Sequence, residues 1–391
     1  MDRKRLKHEK TRLVHAARIR AEGDTSSVNP PVVRASTVLY KNMAARYAIR
    51  ARSGTERLFM YGSRGTPTTF ALEDALTEIE QGSRTMLFPT GLAAIAHVFL
   101  SVLKPGDHVL LGETVYQPAR AIAERYLVPR GIAVEFYPGG HEDVARRLRP
   151  QTRLVYLDNP GSIVFDVQDV PAIAAAVKGR GILVGVDNTW GAAGLHRPLA
   201  LGADISVYAV TKYIAGHSDL MMGAVTAAAT CADRLWQDAC LLGQTVGPDD
   251  AYAALRSLRT VAARLAMHQA HALEVVAWCR RQPAIARVLY PALEDDPGYA
   301  LWKRDFTGAN GLFSIVFRDG VTQSQAERFV DSLTLFGIGA SWGGFESLVL
   351  TYPEGTIKGW HGGSLVRLHI GLEDPADLIA DLEQALAASG E

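Results

Sequence analysis

Cysteine is scarce in this chain: three in 391 residues, Cys231, Cys240 and Cys279. Their number is odd, their spacing is wide, and no CxxC pair occurs. Neither a disulfide framework nor a thiolate metal site is expected, and the pattern fits reduced, buried or half-buried thiols of a cytoplasmic protein. Net charge is also missing. Lys plus Arg number 41 and Asp plus Glu 41, which argues against nucleic acid as a partner, since that partner selects basic surfaces. No apolar run approaches the ~20 residues of a membrane helix. The first ten residues are basic and lack the apolar stretch of a signal peptide. No GxGxxG follows the first strand-like run, and Gly337-Ile338-Gly339 lacks the continuation a dinucleotide site needs. There is no internal repeat and no low-complexity segment.

What is present is a core. Hydrophobic residues make up 48% of the chain, enough for a large interior but over too many residues for one compact domain. The first sixty or so residues read as an arm, with Pro30-Pro31 interrupting any helix. From about Thr68 helices and strands alternate. Helical patterns cover Thr68 to Glu80, Leu92 to Leu103 and Pro118 to Leu127. Strand-like runs begin at Thr85, His108, Ala133, Leu154, Ile182, Ile205 and Ala224. Short apolar runs between helices predict a mostly parallel seven-stranded sheet covered on both faces, an α/β fold. One long helical pattern, Asp250 to Arg281, leaves this domain. Beyond it, strands at Leu312 to Phe317 and Leu365 to Ile370 and helices at Ser324 to Leu333 and Ala376 to Ala387 predict a smaller α+β domain.

Ligands of such sheets sit at the carboxyl ends of the strands, and chemistry-bearing residues gather there. Lys212 directly follows the strand ending at Tyr208, where a charged amine is costly without a task. Asp187 ends the strand Ile182 to Val186. An amine for a Schiff base and a carboxylate to keep a pyridine nitrogen protonated are what a pyridoxal 5'-phosphate (PLP) enzyme needs. Read separately, Lys212 could be a surface amine and Asp187 a helix N-cap. Pro89-Thr90-Gly91-Leu92 follows a strand and opens a helix, whose first N–H groups suit a phosphate, or form only an ordinary turn. Thr211 could add a hydroxyl. Tyr116, after the strand at His108, could stack on the ring and help move a proton, or be a common surface tyrosine. The loop Tyr61-Gly62-Ser63-Arg64-Gly65 is Gly-rich and basic, either a flexible connection or a phosphate contact offered to a neighbouring subunit. Arg367 lies inside an apolar strand, a natural fork for a substrate carboxylate or one half of a structural ion pair. His268 and His271 read as helix surface without a third ligand, so no metal is expected. His217 and Asp219 lack the activated Ser or Cys of a triad.

With these residues in hand, the chain resembles the Cys/Met-metabolism family of PLP enzymes from about Lys10 almost to its end. The likeness is carried by Tyr61-Gly62 with Arg64-Gly65-Thr66, Asp158-Asn159-Pro160-Gly161-Ser162, Asp187-Asn188-Thr189-Trp190 and Thr211-Lys212-Tyr213 with Gly216-His217-Ser218-Asp219. It continues in Trp302-Lys303-Arg304-Asp305-Phe306-Thr307-Gly308, Ser341-Trp342-Gly343-Gly344-Phe345-Glu346-Ser347 and Arg367-Leu368-His369-Ile370-Gly371. Trp342 points toward the β-lyase branch. The resemblance implies the PLP-dependent transferase fold of aspartate-aminotransferase type I. It implies an arm (residues 1–65) that completes the partner's site, a PLP-binding large domain (66–258), a small domain (259–391) and a homotetramer of two tight dimers. It assigns Lys212 to the Schiff base, Asp187 to the pyridinium and Tyr116 to stacking. Gly91, Leu92 and Thr211, with Tyr61 and Arg64 of a partner, would hold the phosphate. Arg367, Trp342 and Ser341, again with Tyr61 and Arg64, would hold the substrate.

The implied reaction is β-elimination from an L-amino acid with sulfur on Cβ, such as L-cystathionine or a cysteine S-conjugate, to a thiol, pyruvate and ammonia. Three positions depart from the pattern. Ser63 stands where the family usually has arginine, Ala209 where many members have a phosphate-binding serine, and Ala121 where the β-lyase branch has an acid. A γ-lyase or γ-synthase of the same family therefore stays open, as does a PLP-binding regulatory protein with little turnover.

Overall fold

The computed structural model describes residues 8–18 and 24–389; the basic start, up to residue 7, lies outside them. Seven strands form one sheet: β1 (Arg84–Phe88), β2 (His108–Gly112), β3 (Ala133–Tyr137), β4 (Thr152–Asp158), β5 (Leu183–Asp187), β6 (Ile205–Ala209) and β7 (Gly223–Ala227). Their order is β1-β7-β6-β5-β4-β2-β3. The five strands from β3 to β6 run parallel, and β7 is antiparallel to both neighbours. All seven were legible as short, mostly apolar runs: the inner strands are buried almost throughout, while the edge strand β3 is half-buried and carries Glu135. The sheet's faces are packed with side chains such as Val109, Leu111, Val155, Leu157, Val186 and Val207. Each contributes about 1.5–3 kcal/mol of transfer free energy when fully buried.

The helix starts follow local chemistry. Thr90 caps the helix Gly91–Val102 by accepting the Ala93 N–H at 2.9 Å. Pro67 stands at the start of the helix Pro67–Glu80, where its missing N–H costs nothing. Asp169 caps Val170–Val177 through the Ala172 N–H.

The second sheet holds β8 (Ile285–Leu289), β9 (Leu312–Phe317), β10 (Gly337–Ile338), β11 (Leu348–Tyr352) and β12 (Leu365–His369), in the order β10-β11-β12-β9-β8. Only β9 and β12, buried along their whole length, stand out in the sequence. β8 alternates irregularly between buried and exposed positions, and β10 has two residues, so neither carries a readable period.

Two expectations are corrected. The single helix expected over Asp250 to Arg281 is two, Pro248–Leu258 and Val261–Cys279. No proline or glycine marks the break. At the junction the buried Arg264 guanidinium donates to the Ser257 carbonyl in the last turn of the first helix, and also to the carbonyls of Tyr213 and Ile214. The arm likewise contains a helix, Met43–Arg52, capped by Asn42. Among the described residues no helix is long and apolar enough to cross a membrane.

Candidate active site

The carboxyl ends of β4, β5 and β6 are adjacent, and the register sets Asp158 beside Asp187. Asp187 is buried, and its Oδ1 accepts two bonds from Thr189, the N–H at 3.0 Å and the hydroxyl at 2.6 Å. The same hydroxyl accepts the Ala209 N–H at 3.0 Å. Burial pushes the Asp187 carboxyl up, while the Thr189 donors and Lys212 pull it down. Behind it, Asn188 donates to Glu80 and to the His196 carbonyl, and His196 Nδ1–H returns a bond to Asn188 at 2.9 Å. This buried lattice fixes the strand end. Its imidazole is kept neutral by burial, with its pKa pushed down to about 3.

Lys212 stands in the turn after β6. Its Nζ donates to Ser341 Oγ at 2.6 Å and lies 5.3 Å from the Trp342 ring centroid. Burial, and next the nearby Arg367 cation, lower its pKa to about 8, with Asp187 opposing. Gly343 permits the close approach of the Ser341-Trp342 segment. It has φ of 87°, and a Cβ there would lie 2.9 Å from the Tyr213 nitrogen and 3.0 Å from the Lys212 carbonyl carbon.

Arg367 is 2% exposed. Its Nη1 donates to the Ala340 carbonyl and Tyr352 Oη, and its Nη2 to the Gly339 and Ser341 carbonyls. Its Nε is buried without a partner. Among the described residues no carboxylate pairs with it, so this cation has only neutral acceptors. Tyr116 begins the helix Gln117–Ile122, and its N–H is held by Asp158 Oδ2 at 2.8 Å. Burial raises its phenol, and the charges of Asp187 and Arg367 act on it from the same cavity. The phenol is therefore a proton donor at neutral pH.

At the helix start Gly91–Val102, the N–H groups of Gly91 and Leu92 have no partner among the described residues. A Cβ on Gly91 would meet the Ala209 Cβ at 2.9 Å, so the helix end sits tight against β6. Thr211 is engaged elsewhere: its hydroxyl donates to the Met222 carbonyl and accepts the Met222 N–H. Tyr61 and Arg64 also make their contacts away from Lys212. Tyr61 bridges Thr37 and is 51% exposed, while Arg64 donates to the Ser53 carbonyl and lies over Trp236. The fold of one chain thus brings together Lys212, Asp187, Tyr116, Ser341, Trp342 and Arg367, and leaves the Tyr61 loop facing outward.

Three neighbours escaped the sequence reading of the site: Asp158, Thr189 and Tyr352. Thr189 could have been found, since a hydroxyl two residues after a buried aspartate readily bonds back to it. Tyr352 could not, because β11 had no legible pattern. His268 was read as helix surface, but it is fully buried, with Nδ1–H donating to the Ile370 carbonyl at 2.8 Å. Its place on the buried face of a long helix decides this. No group of three or more potential metal ligands occurs among the described residues.

The donor set fits PLP. Two buried aspartates side by side, one with an oxygen lacking any partner, suit a protonated ring nitrogen. A helix start with free N–H groups suits a phosphate, a half-buried amine of lowered pKa suits an aldehyde, and the unpaired Arg367 suits a substrate carboxylate.

Comparison with known proteins agrees. The family described as Cys/Met metabolism PLP-dependent enzyme matches residues 10–387. A cystathionine beta-lyase of Bordetella avium is 46% identical over 389 residues, 97% of this chain and 98% of the relative. An L-alanine/L-glutamate racemase of Wolbachia pipientis is 39% identical over 374 residues, 92% and 93% of the two chains. The crystal structure of metB from Corynebacterium glutamicum superimposes with a TM-score of 0.89 at 28% identity, covering 99% of each chain.

Proposed function

This chain belongs to the Cys/Met-metabolism family of PLP-dependent enzymes, and from that premise we propose that it is a carbon–sulfur β-lyase. Its substrate is L-cystathionine or a related cysteine S-conjugate, and its products are a thiol, pyruvate and ammonia. The observation that carries this reading is the bridge at Ser341. Its hydroxyl accepts from Lys212 Nζ, and its carbonyl accepts from Arg367 Nη2 at 3.0 Å. An α-amino acid bears its amine and carboxylate on one carbon. A carboxylate forked on Arg367 therefore keeps the α-carbon within reach of the lysine.

When bound, PLP supplies an aldehyde for the substrate amine and a ring that stores the electrons left by the α-proton. The chain's own residues supply the rest. Asp187, with Thr189 donating to its Oδ1, would face the protonated ring nitrogen. The N–H groups of Gly91 and Leu92 would receive the phosphate. Lys212 Nζ, with its lowered pKa, takes the α-proton. The proton for the departing sulfur comes from Lys212 or from Tyr116 Oη, which burial keeps protonated. Trp342, packed against Tyr213 at 5.5 Å between ring centroids, walls the amine from water.

The relatives named cystathionine beta-lyase support the sulfur substrate. The racemase relative favours a second reading, in which the α-proton is removed and returned without loss of a Cβ group. Measuring pyruvate from L-cystathionine separates these. Pyruvate with a free thiol supports the lyase, 2-oxobutyrate supports γ-cleavage, and only D-amino acid formation supports the racemase.

The finer assembly is a homotetramer in which the Tyr61 loop completes a partner's site. The outward Tyr61 and the exposed Leu39, Met43 and Tyr47 of the arm support it. A cytoplasmic location is supported by three unpaired cysteines.

A further inference from the structure

Asp158 has been met only as a neighbour, yet its surroundings give it a defined part. It ends β4, is 6% exposed, and stands opposite Asp187 in the parallel register. Adjacent strands lie about 4.8 Å apart, so two carboxyl groups share one dry pocket. Like charges in that setting do not both persist.

Their partners decide which one keeps the charge. Asp187 receives two donors on one oxygen and has the Lys212 cation in reach. Asp158 receives a single donor, the Tyr116 N–H on Oδ2, and its Oδ1 is buried with no partner at all. The other titratable groups that act on it are Asp166 in the loop after β4, Tyr156 on β4, Tyr137 on β3 and the phenol of Tyr116 itself. Asp166 is an acid and the tyrosines are neutral, so none supplies a cation. Only Asp187 has the support that an anion needs.

We propose that Asp158 is a positioning residue that acts as a neutral carboxylic acid. It holds the turn carrying Tyr116 through Oδ2 and leaves Asp187 as the single anion for the ring nitrogen. Burial and the charge of Asp187 both raise its pKa well above that of an ordinary aspartate, in the direction this requires. The inference rests on the PLP reading of the site but not on which sulfur compound is cleaved. It also accounts for a strand-end acid that makes no ion pair among the described residues.

The test is cofactor binding. The enzyme is stripped of PLP, and pyridoxal 5'-phosphate is titrated back into the wild-type protein and the D158N, D158A and D187N variants. Affinity is read from the visible absorption band and ring stacking from its circular dichroism. Asparagine imitates a neutral acid, so D158N keeps its affinity within about threefold and keeps the wild-type dichroism. D158A leaves the Tyr116 N–H unpaired, so it weakens PLP by about tenfold and alters the dichroism. D187N loses about a hundredfold or more.

If D158N falls as far as D187N, Asp158 carries charge and the proposal is wrong. If D158A matches the wild type, Asp158 positions nothing, and the proposal is equally wrong. Should D158A not fold, the comparison of D158N with D187N still decides the protonation state. Normal binding without β-elimination would count against the lyase reading and leave Asp158 untouched.

Discussion

Replacing Arg367 by alanine tests the substrate side of the site most directly. The guanidinium makes four hydrogen bonds, all to neutral acceptors, and keeps a buried Nε with none. A substrate carboxylate would bind it through charge-assisted bonds of about 1.5–3 kcal/mol each. Losing two of them removes about 3–6 kcal/mol, or about 10²–10⁴ in kcat/KM. Most of that loss should appear in KM, because the carboxylate is held alike before and during the reaction. Truncation also frees the carbonyls of Gly339, Ala340 and Ser341, so Tm is expected to drop. R367K, which keeps the charge but not the fork, separates the two effects: it should fold like the wild type and still lose at least about tenfold. The assay is pyruvate release from L-cystathionine, with PLP content followed by absorbance. A folded, PLP-loaded R367A protein that loses less than about tenfold in kcat/KM would refute the assignment of Arg367 to the carboxylate.

Other outcomes follow from the same geometry. K212A should abolish keto-acid formation and leave PLP bound only non-covalently, removable by dialysis and absent after borohydride reduction. Turnover surviving the change would contradict Lys212 as the base. In the PLP-stripped wild-type enzyme, capture of PLP requires the neutral amine, whose pKa burial lowers from the ordinary lysine range to about 8. The capture rate should therefore rise with pH and level off above about 8; a rise still continuing near pH 10 would sink the argument. R367K should leave that inflection low, whereas R367A, by removing a cation, should move it upward. T189V removes the hydroxyl that supports the Asp187 anion at 2.6 Å. Asp187 should then hold its proton to higher pH, so PLP affinity, measured by titration, should fall most at low pH and recover as pH rises. Equal weakening at every pH would point to packing instead.

The partition of proton roles reflects burial acting with opposite sign on acids and bases. The Lys212 ammonium and the Tyr116 phenol both feel the charges of Asp187 and Arg367, yet burial lowers the first pKa and raises the second, because in each case it disfavours the charged form. The lysine is thereby pushed toward a base and the tyrosine toward a donor. Burial still raises the Asp187 pKa, but the Thr189 donors and Lys212 oppose that rise, whereas Asp158 has a single backbone donor to oppose it. One dry strand edge can therefore hold acid, base and anion side by side.

Some of this was written plainly along the chain. Most of β1 to β7 were legible because a strand buried on both faces is largely apolar, and Lys212 and Asp187 because a charge at the end of such a strand has few innocent explanations. The cap of Gly91–Val102 needs only Thr90 and its next three residues. Local chemistry of that kind stays within reach of one-dimensional reading. The long helix was misjudged for the opposite reason: the contacts at its junction are made by Arg264, which also reaches carbonyls of the Lys212 turn some fifty positions earlier. Tyr352 and the burial of His268 were hidden in the same way.

The order of residues by itself determined the type of sheet, the amine, the carboxylate and the helix start for a phosphate. Each of these is decided by neighbours a few positions away. Only the folded chain decided that Ser341 joins Lys212 to Arg367, that Arg367 has no acidic partner among the described residues, and that Asp158 stands beside Asp187. Those contacts join residues from 26 to 129 positions apart, and hydrogen bonding and desolvation depend on distance in space, not on separation along the chain.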